Sequence, residues 1–399
     1  MSAAGRRIRK YPFDMHELDV SPLYARLREQ EPLSRVQLPY GEPAWLATRY
    51  DDVKLVLSDP RFSRELAQGL DQPRLRSENT DDGIMGMDPP DHTRLRRLVG
   101  KAFTARRVER MRAEVKARAG ELIDTMVEGG GPADLVEQFA RPLPVSVICD
   151  LLGVPYSDHV RFRRWTEALT NDETTSGEVL AEIGPELDAY LGELIAERRR
   201  NPTDDLLGSL VRARDDGDRL SEAELISIAG PGLLTGGAET VASGIPSFAF
   251  HLLTHPDELA RLRAEPGLMR TAVEELLRFI PINTAAMFAR YSMEDVRLGD
   301  VTIRAGEPVL PALAAANRDP AVFDDPERVD LARAKNPHLA FGHGPHHCIG
   351  AQLARLELQV ALETLLERFP ALRLADGPEG VKWKFGVIVR GPAELRITW

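Results

Sequence analysis

The sequence predicts a mainly α protein with small β-sheets, folded as one large domain over residues 1–399. Three observations lead there. Helical spacing of apolar residues dominates most of the chain. Alternating segments bounded by Gly and Pro are short, and occur at 34–49, at 290–311 and in the last twenty residues. No repeat, low-complexity tract or composition shift marks a linker. The apolar fraction of 43% and charged fraction of 28% are ordinary for a soluble globular chain. Its length suffices to bury a large core and still enclose a ligand.

The elements follow in chain order. SPLYARLREQ opens with Ser-Pro, a helix-start signal. SRVQLPYGEPAWLATR alternates around the turn signal YGEP and predicts a hairpin, after which DDVKLVLSD returns to helical spacing. Residues 64–90 are polar, rich in Gly, Pro and Asp, and end in MGMDPPDH; a loop this long inside a compact domain suggests a binding loop or lid. Helical patterns run from 91 to 200, broken at GGGPAD, at LGVPYSDH and around 170–178. In LSEAEL, Ser221 and Glu224 form a capping-box pattern. The nearly unbroken apolar run LISIAGPGLLTGGAETVASGIPSFAFHLL follows. It is long enough to cross a bilayer, but Glu239 near its middle, two prolines and several glycines favour a helix buried through the centre of a domain. Helix signals resume at 256–280. RYSMEDVRLGDVTIRAGEPVL then reads as short strands with Gly turns, and KFGVIVRGPAELRITW as a hairpin.

Charge and cysteine usage narrow the function. A net charge of −11 argues against general nucleic-acid binding. Residues 94–112 nevertheless carry eight Lys or Arg against the single acid Glu109. That run is either a solvated helix face or a docking patch for an acidic partner. The N-terminal MSAAGRRIRKYPFDMHELDV has no apolar stretch after its basic residues, so neither a signal peptide nor a membrane anchor is expected. Two cysteines exclude a disulfide framework and fit a reducing cytoplasm. Cys149, in PVSVICDLLGVP, reads as a small buried hydrophobe.

Cys348 is different. It lies in FGHGPHHCIG, among three histidines and three glycines, just before the helical run AQLARLELQVALETLLERF. A zinc site would need four ligands, and His343, His346, His347 and Cys348 fall too close together to wrap one tetrahedron easily. A cysteine nucleophile would leave Phe341, Gly342, Gly344 and Gly350 without a purpose. A haem-bound thiolate gives each of them one. Glycines let the backbone approach a flat ring, Phe341 shields the sulfur, and the helix N-terminus stabilises its negative charge.

The segment FGHGPHHCIG resembles the cysteine-ligand loop of the cytochrome P-450 superfamily, the haem-thiolate monooxygenases, and further matches follow in the expected order over most of the chain. The resemblance implies that Cys348 is the axial ligand of a haem b iron, flanked by Phe341 and Gly350. It implies that His346, the His92 and Arg96 that follow DPP, and Arg290 hold the propionates. Glu275 and Arg278 of AVEELLRF match the family's E-x-x-R pair, with Arg328 of DDPERVDL as third member and Val329 where an aromatic is more usual. TGGAETV resembles the oxygen-activation motif: Glu239 and Thr240 relay protons beside a widened helical turn, Gly236 stands where alanine is common, and Pro231 kinks the helix. The family places the substrate pocket at Met85, Met87, residues 165–185, Leu233, Gly237, Asn283, Met287, Val387 and Ile388.

The implied activity is insertion of one atom of O2 into a moderately apolar small molecule, by hydroxylation or epoxidation. Electrons would come from NAD(P)H through a ferredoxin reductase and a ferredoxin docking at 94–112. The Ala- and Arg-rich composition suits an actinomycete and a step in secondary-metabolite biosynthesis, carried out by a cytoplasmic monomer. A carrier-protein-bound substrate fits the same expectation. The rival readings are a peroxide-dependent peroxygenase, an oxidative coupling enzyme and a haem-binding protein without turnover.

Overall fold

The computed structural model describes residues 7–75, 77, 83–101, 103–170, 177–215, 220–283, 285–384 and 388–399. They gather into two compact units, each assembled from two stretches of chain: Met1–Thr93 with Arg270–Cys348, and Arg94–Met269 with Ile349–Trp399.

The first unit is organised by a six-stranded mixed sheet in the order Arg9–Lys10, Leu33–Gln37, Ala44–Ala47, Pro308–Pro311, Arg290–Ser292, Phe62–Ser63. The hairpin expected around YGEP forms its middle, with Leu33 opposite Ala47 and Val36 opposite Ala44. Successive side chains of a strand point to opposite faces. Ala44 and Leu46 therefore join Tyr11, Tyr24, Tyr291 and Leu310 in one apolar cluster, while Trp45 and Ala47 join Val53, Val309 and Phe323 in another. The helix Pro22–Gln30 starts at the Ser-Pro signal, with Ser21 Oγ accepting from the Leu23 N–H at 3.4 Å. The strands expected at 290–311 are present, including the ribbon Val296–Leu298 with Val301–Ile303, which turns at Gly299 in the left-handed region (φ +54).

A buried ionic cluster ties this unit together. Glu275 and Arg278, on the helix Met269–Phe279, have fully buried side chains and are joined by two hydrogen bonds of 2.8 Å. The third member is Arg333 and not the expected Arg328: Arg333 Nε donates to Glu275 at 3.0 Å, whereas the Arg328 residue is exposed and offers its carbonyl oxygen to Arg278. The arginine nearer in sequence to the motif points outward because the turn at 325–328 spends its backbone, not its side chain, on the cluster. Burial works to raise the Glu275 carboxyl, but hydrogen bonds from Arg278 and the Asp330 N–H, with the charges of Arg278 and Arg333, outweigh it and hold the group below the usual carboxylate range.

The second unit is mostly helical. The long helices Arg112–Gly129 and Ala351–Arg368 pack together, with Arg112 donating to Gln359 at 3.1 Å and Lys116 paired with Glu367 at 3.1 Å. Both halves of the capping box form at Ser221 and Glu224. The apolar run beyond it is not one regular α-helix. After Glu222–Ser227 the chain is π-helical over Ile228–Gly232 and again over Leu234–Glu239, and returns to α over Thr240–Thr254. Pro231 lacks the N–H of a regular turn, and four glycines within eight residues weaken the α preference. The expected Pro231 kink therefore takes the form of widened turns. The C-terminal hairpin is shorter than expected, with Lys382–Trp383 pairing with Pro392–Glu394. Arg396–Thr398 instead joins a sheet with Arg373–Leu374 and Ala133–Asp134, because Leu395 and Ile397 are fully buried. Among the described residues no helix is long and apolar enough to cross a membrane.

The Glu275 cluster generates a stability prediction. A carboxyl held below its unfolded value contributes stability that is complete above the ordinary carboxylate range and is lost as pH falls through the folded value. Glu275→Gln removes that contribution and leaves the buried Arg278 and the half-buried Arg333 guanidinium groups short of an anion, a loss of about 3–5 kcal/mol for such pairs. Denaturant unfolding at neutral pH should show the loss, and the variant's stability should fall less steeply on acidification than the parent's.

Candidate active site

The cysteine loop is shaped by two glycines in the left-handed region, Gly342 (φ +73) and Gly344 (φ +71). At Gly344 a Cβ would lie 2.5 Å from the Leu57 carbonyl oxygen and 2.9 Å from Ser58 Cα, so the loop rests directly on the end of the helix Tyr50–Ser58. After the short turn Gly344–His346, the Cys348 N–H donates to the Phe341 carbonyl at 2.9 Å and closes the loop. This leaves Cys348 exposed. Cys149, by contrast, is fully buried, and burial pushes its thiol far up. Of the two cysteines, only Cys348 offers its sulfur to a ligand. Phe341 is half-buried between the rings of His338 and His347. The helix Ala351–Arg368 begins three residues beyond the cysteine, with Gly350 at its N-cap and the Gly350 carbonyl accepting from Ala354.

His92, His346 and Arg290, in the same unit, are nitrogen donors. His92, only 2% exposed, lies 4.0 Å from the His346 ring, centroid to centroid. Arg290 is buried, with Nη1 donating to the Phe288 carbonyl at 2.7 Å. Arg96, one turn beyond His92 on the helix Asp91–Gly100, is half-buried and belongs to the second unit. Within the first unit this donor set fits a haem: a thiol for the iron, and histidine and arginine nitrogens for two carboxylates.

Sequence reasoning missed Arg64. It is 1% exposed, donates to the Met85 and Ala289 carbonyls at 2.9 and 2.7 Å, and stacks 5.3 Å over the Phe288 ring. It thereby holds the backbone on either side of two expected pocket segments. No motif marks it; only its burial reveals it.

The acid and alcohol lie in the second unit. The π-helical turn Leu234–Glu239 covers the glycine pair, and Thr240 Oγ1 donates back across it to the Gly236 carbonyl at 2.9 Å. A side chain at Gly236 would meet open space. Gly237 is more crowded. A Cβ there would lie 2.8 Å from Ile148 Cδ1, so this glycine also serves a helix crossing with Pro142–Leu152. The glycine that leaves room is Gly236. The Glu239 carboxylate forms an ion pair with Lys384, and Ser243 Oγ donates to it at 3.3 Å. Lys384 sits just past a two-residue strand and has no sequence signal.

The other expected pocket residues are spread over several elements. Met85 and Met87 are half-buried in and beside the turn Gly83–Gly86, Met287 and Ile388 are half-buried, Leu233 is buried between the two π-helical stretches, and Asn283 is exposed. Val387 and residues 171–176 lie outside the described residues. The basic run at 94–112 is less available than its charge suggests. Arg94 pairs with Glu224, Arg107 donates to the Asp204 carbonyl oxygen, and Arg112 pairs with Glu109, while Arg106 and Arg110 are exposed.

Comparison with known proteins gives the family. The family model for Cytochrome P450 matches residues 168–395, more than half of the chain. The chain is a cytochrome P450. Among curated relatives, this P450 is 51% identical over 392 residues to the mycinamicin IV hydroxylase/epoxidase of Micromonospora griseorubida, covering 98% of each chain. It is 51% identical over 394 residues to the nocardicin C N-oxygenase of Nocardia uniformis subsp. tsuyamanensis, again covering 98% of each. The crystal structure of the mixed-function P450 MycG is 51% identical and superposes with a TM-score of 0.95, covering 98% of this chain and all of its own. The P450 has the fold of the family and is a monooxygenase.

The two glycines of the cysteine loop supply a paired prediction for this P450. Gly342→Ala meets nothing closer than 4.0 Å and carries only the left-handed strain, about 1–2 kcal/mol. Gly344→Ala adds a backbone overlap, so it should lower the thermal midpoint further and purify with much less haem than Gly342→Ala, read from the Soret absorbance per protein.

Proposed function

We propose that this P450 inserts one atom of O2 into a moderately apolar secondary metabolite, by hydroxylation or epoxidation. The relatives support the class: one is a mycinamicin IV hydroxylase/epoxidase, and another, 43% identical, is the PikC monooxygenase of Streptomyces venezuelae. The nocardicin C N-oxygenase, equally similar to this chain as the first, speaks against reading the oxidised atom from identity alone. The observation that carries the proposal is the acid–alcohol pair Glu239–Thr240 on a widened turn, a proton-handling device that a peroxide-dependent enzyme does not need.

Haem b, when bound, supplies the redox chemistry of oxygen. This chain's residues do the rest. Cys348 provides the thiolate ligand, and the N-terminal amides of the following helix favour its anionic form. Phe341 and Gly350 shield the sulfur and allow close backbone approach. His92, Arg96, Arg290 and His346 bind the propionates and fix the ring's orientation. Thr240, whose hydroxyl proton goes to the Gly236 carbonyl, leaves its Oγ1 lone pairs to hold a proton donor at the oxygen site, and Glu239 supplies protons to it. Met85, Met87, Leu233, Met287 and Ile388 are the apolar side chains that the family resemblance gives to substrate binding. Electrons come from NAD(P)H through a ferredoxin reductase and a ferredoxin, whose acidic face meets Arg106 and Arg110.

The first test is the absorption spectrum of the reduced protein under carbon monoxide. A strongly red-shifted Soret band, lost in Cys348→Ala, is expected; an unshifted band overturns thiolate ligation. For the relay, Glu239→Gln and Thr240→Ala should keep that spectrum yet lower oxygenated product per NADPH at least about tenfold, with hydrogen peroxide appearing instead. Unchanged coupling in both variants would remove the pair from the mechanism.

A further inference from the structure

Lys384 is the strongest group outside the roles assigned so far. Its Nζ donates to Glu239 Oε1 and, at 2.8 Å, to Ser243 Oγ. Ser243 Oγ in turn donates to the same carboxylate oxygen at 3.3 Å, which closes a three-membered ring of hydrogen bonds. The Lys384 and Glu239 side chains are only 12% and 14% exposed, so the contact is shielded from bulk water and is not an ordinary surface pair. The backbone places it firmly. The Lys384 N–H donates to the Gly391 carbonyl at 3.0 Å. Gly391 lies flat on the helix Thr240–Thr254, where a Cβ would come within 3.1 Å of Ser247 Oγ and 3.2 Å of the Ser243 carbonyl. The C-terminal hairpin is thus registered on Ser243 and Ser247, and Ser243 is one helical turn beyond Glu239.

We propose that Lys384 is a positioning residue for the proton relay: its ammonium holds Glu239 as an oriented carboxylate, and Ser243 fixes which oxygen it grips. This rests on the reading of Glu239 as the relay acid and deepens it. A carboxylate held this way accepts protons only from its remaining lone pairs, which directs uptake to the oxygen Lys384 leaves free. Without the ammonium, a mostly buried carboxylate loses its counter-charge, and burial favours its neutral form.

Two readouts on the haem-loaded protein test this. In infrared difference spectra at neutral pH, Lys384→Met should show a protonated carboxyl band that the parent lacks and that disappears in a Lys384→Met/Glu239→Gln double variant. Lys384→Gln, which keeps a donor but not the charge, should show the band too, while Lys384→Arg should not. In NADPH oxidation with a surrogate ferredoxin and reductase, without added substrate, peroxide released per NADPH should rise at least threefold in Lys384→Met and return toward the parent value in Lys384→Arg. No new band in either neutral variant, or a peroxide ratio within a factor of 1.5 of the parent in Lys384→Met, overturns the role of Lys384. If Glu239→Gln itself leaves the peroxide ratio unchanged, the relay reading fails, and the infrared bands still decide whether Lys384 holds the carboxylate.

Discussion

The fully buried Glu275 carboxylate is the constraint on which the cysteine loop depends. It accepts from Arg278, Arg333, Asn336 and the Asp330 N–H, while Arg278 reaches the carbonyls of Asn317, Pro326 and Arg328. One side-chain pair thereby gathers the irregular chain from 317 to 336, which has few regular backbone bonds of its own. The pull extends further: Asn317 Oδ1 accepts from the Leu339 N–H at 2.7 Å, and His338 reaches Glu274 at 2.9 Å. Leu339 is two residues from Phe341, where the loop that presents Cys348 begins. A buried ion cluster is a poor source of net stability, since desolvation offsets most of its Coulomb gain. Its value here is specificity, because few other arrangements would satisfy so many donors at once.

Glycine does opposite things in two places. At Gly344 it permits contact, letting the loop settle on the Leu57 and Ser58 backbone. At Gly236 it leaves space on a π-helical turn, where the Thr240 hydroxyl takes up the Gly236 carbonyl. The helix gives up regular α hydrogen bonding over Leu234–Glu239. Such departures concentrate at functional sites, and this one adjoins the acid and the alcohol. The carboxylate just past the turn is then caught by Lys384 from a distant part of the chain, so that helix irregularity and hairpin register meet at a single oxygen atom.

Much of this was legible in the residues. Binary pattern and turn residues announced the Leu33–Ala47 hairpin, the Ser21 helix start, the capping box at Ser221 and the short strands at 290–311, because each is specified by side chains a few positions apart. The cysteine loop was legible for the same reason: its glycines, phenylalanine and cysteine lie within ten residues, and the chemistry needs them together. The distinction between Cys149 and Cys348 also followed from their immediate neighbours, one set apolar and the other polar and glycine-rich.

What the tertiary structure alone decided concerns partners far apart in sequence. Whether Arg328 or Arg333 meets Glu275 depends on which way a turn sends each side chain. Whether Gly236 or Gly237 opens toward free space depends on Ile148, a residue from another helix. The fate of Arg94 and Arg107 was decided by Glu224 and the Asp204 carbonyl, more than ninety residues away. Lys384 acquires a role only because Gly391 can lie flat on Ser243. Local pattern carries the short-range terms, which each residue expresses with its neighbours. Long-range charge pairs and close approaches exist only after loop closure has brought their members together, and no single segment encodes them.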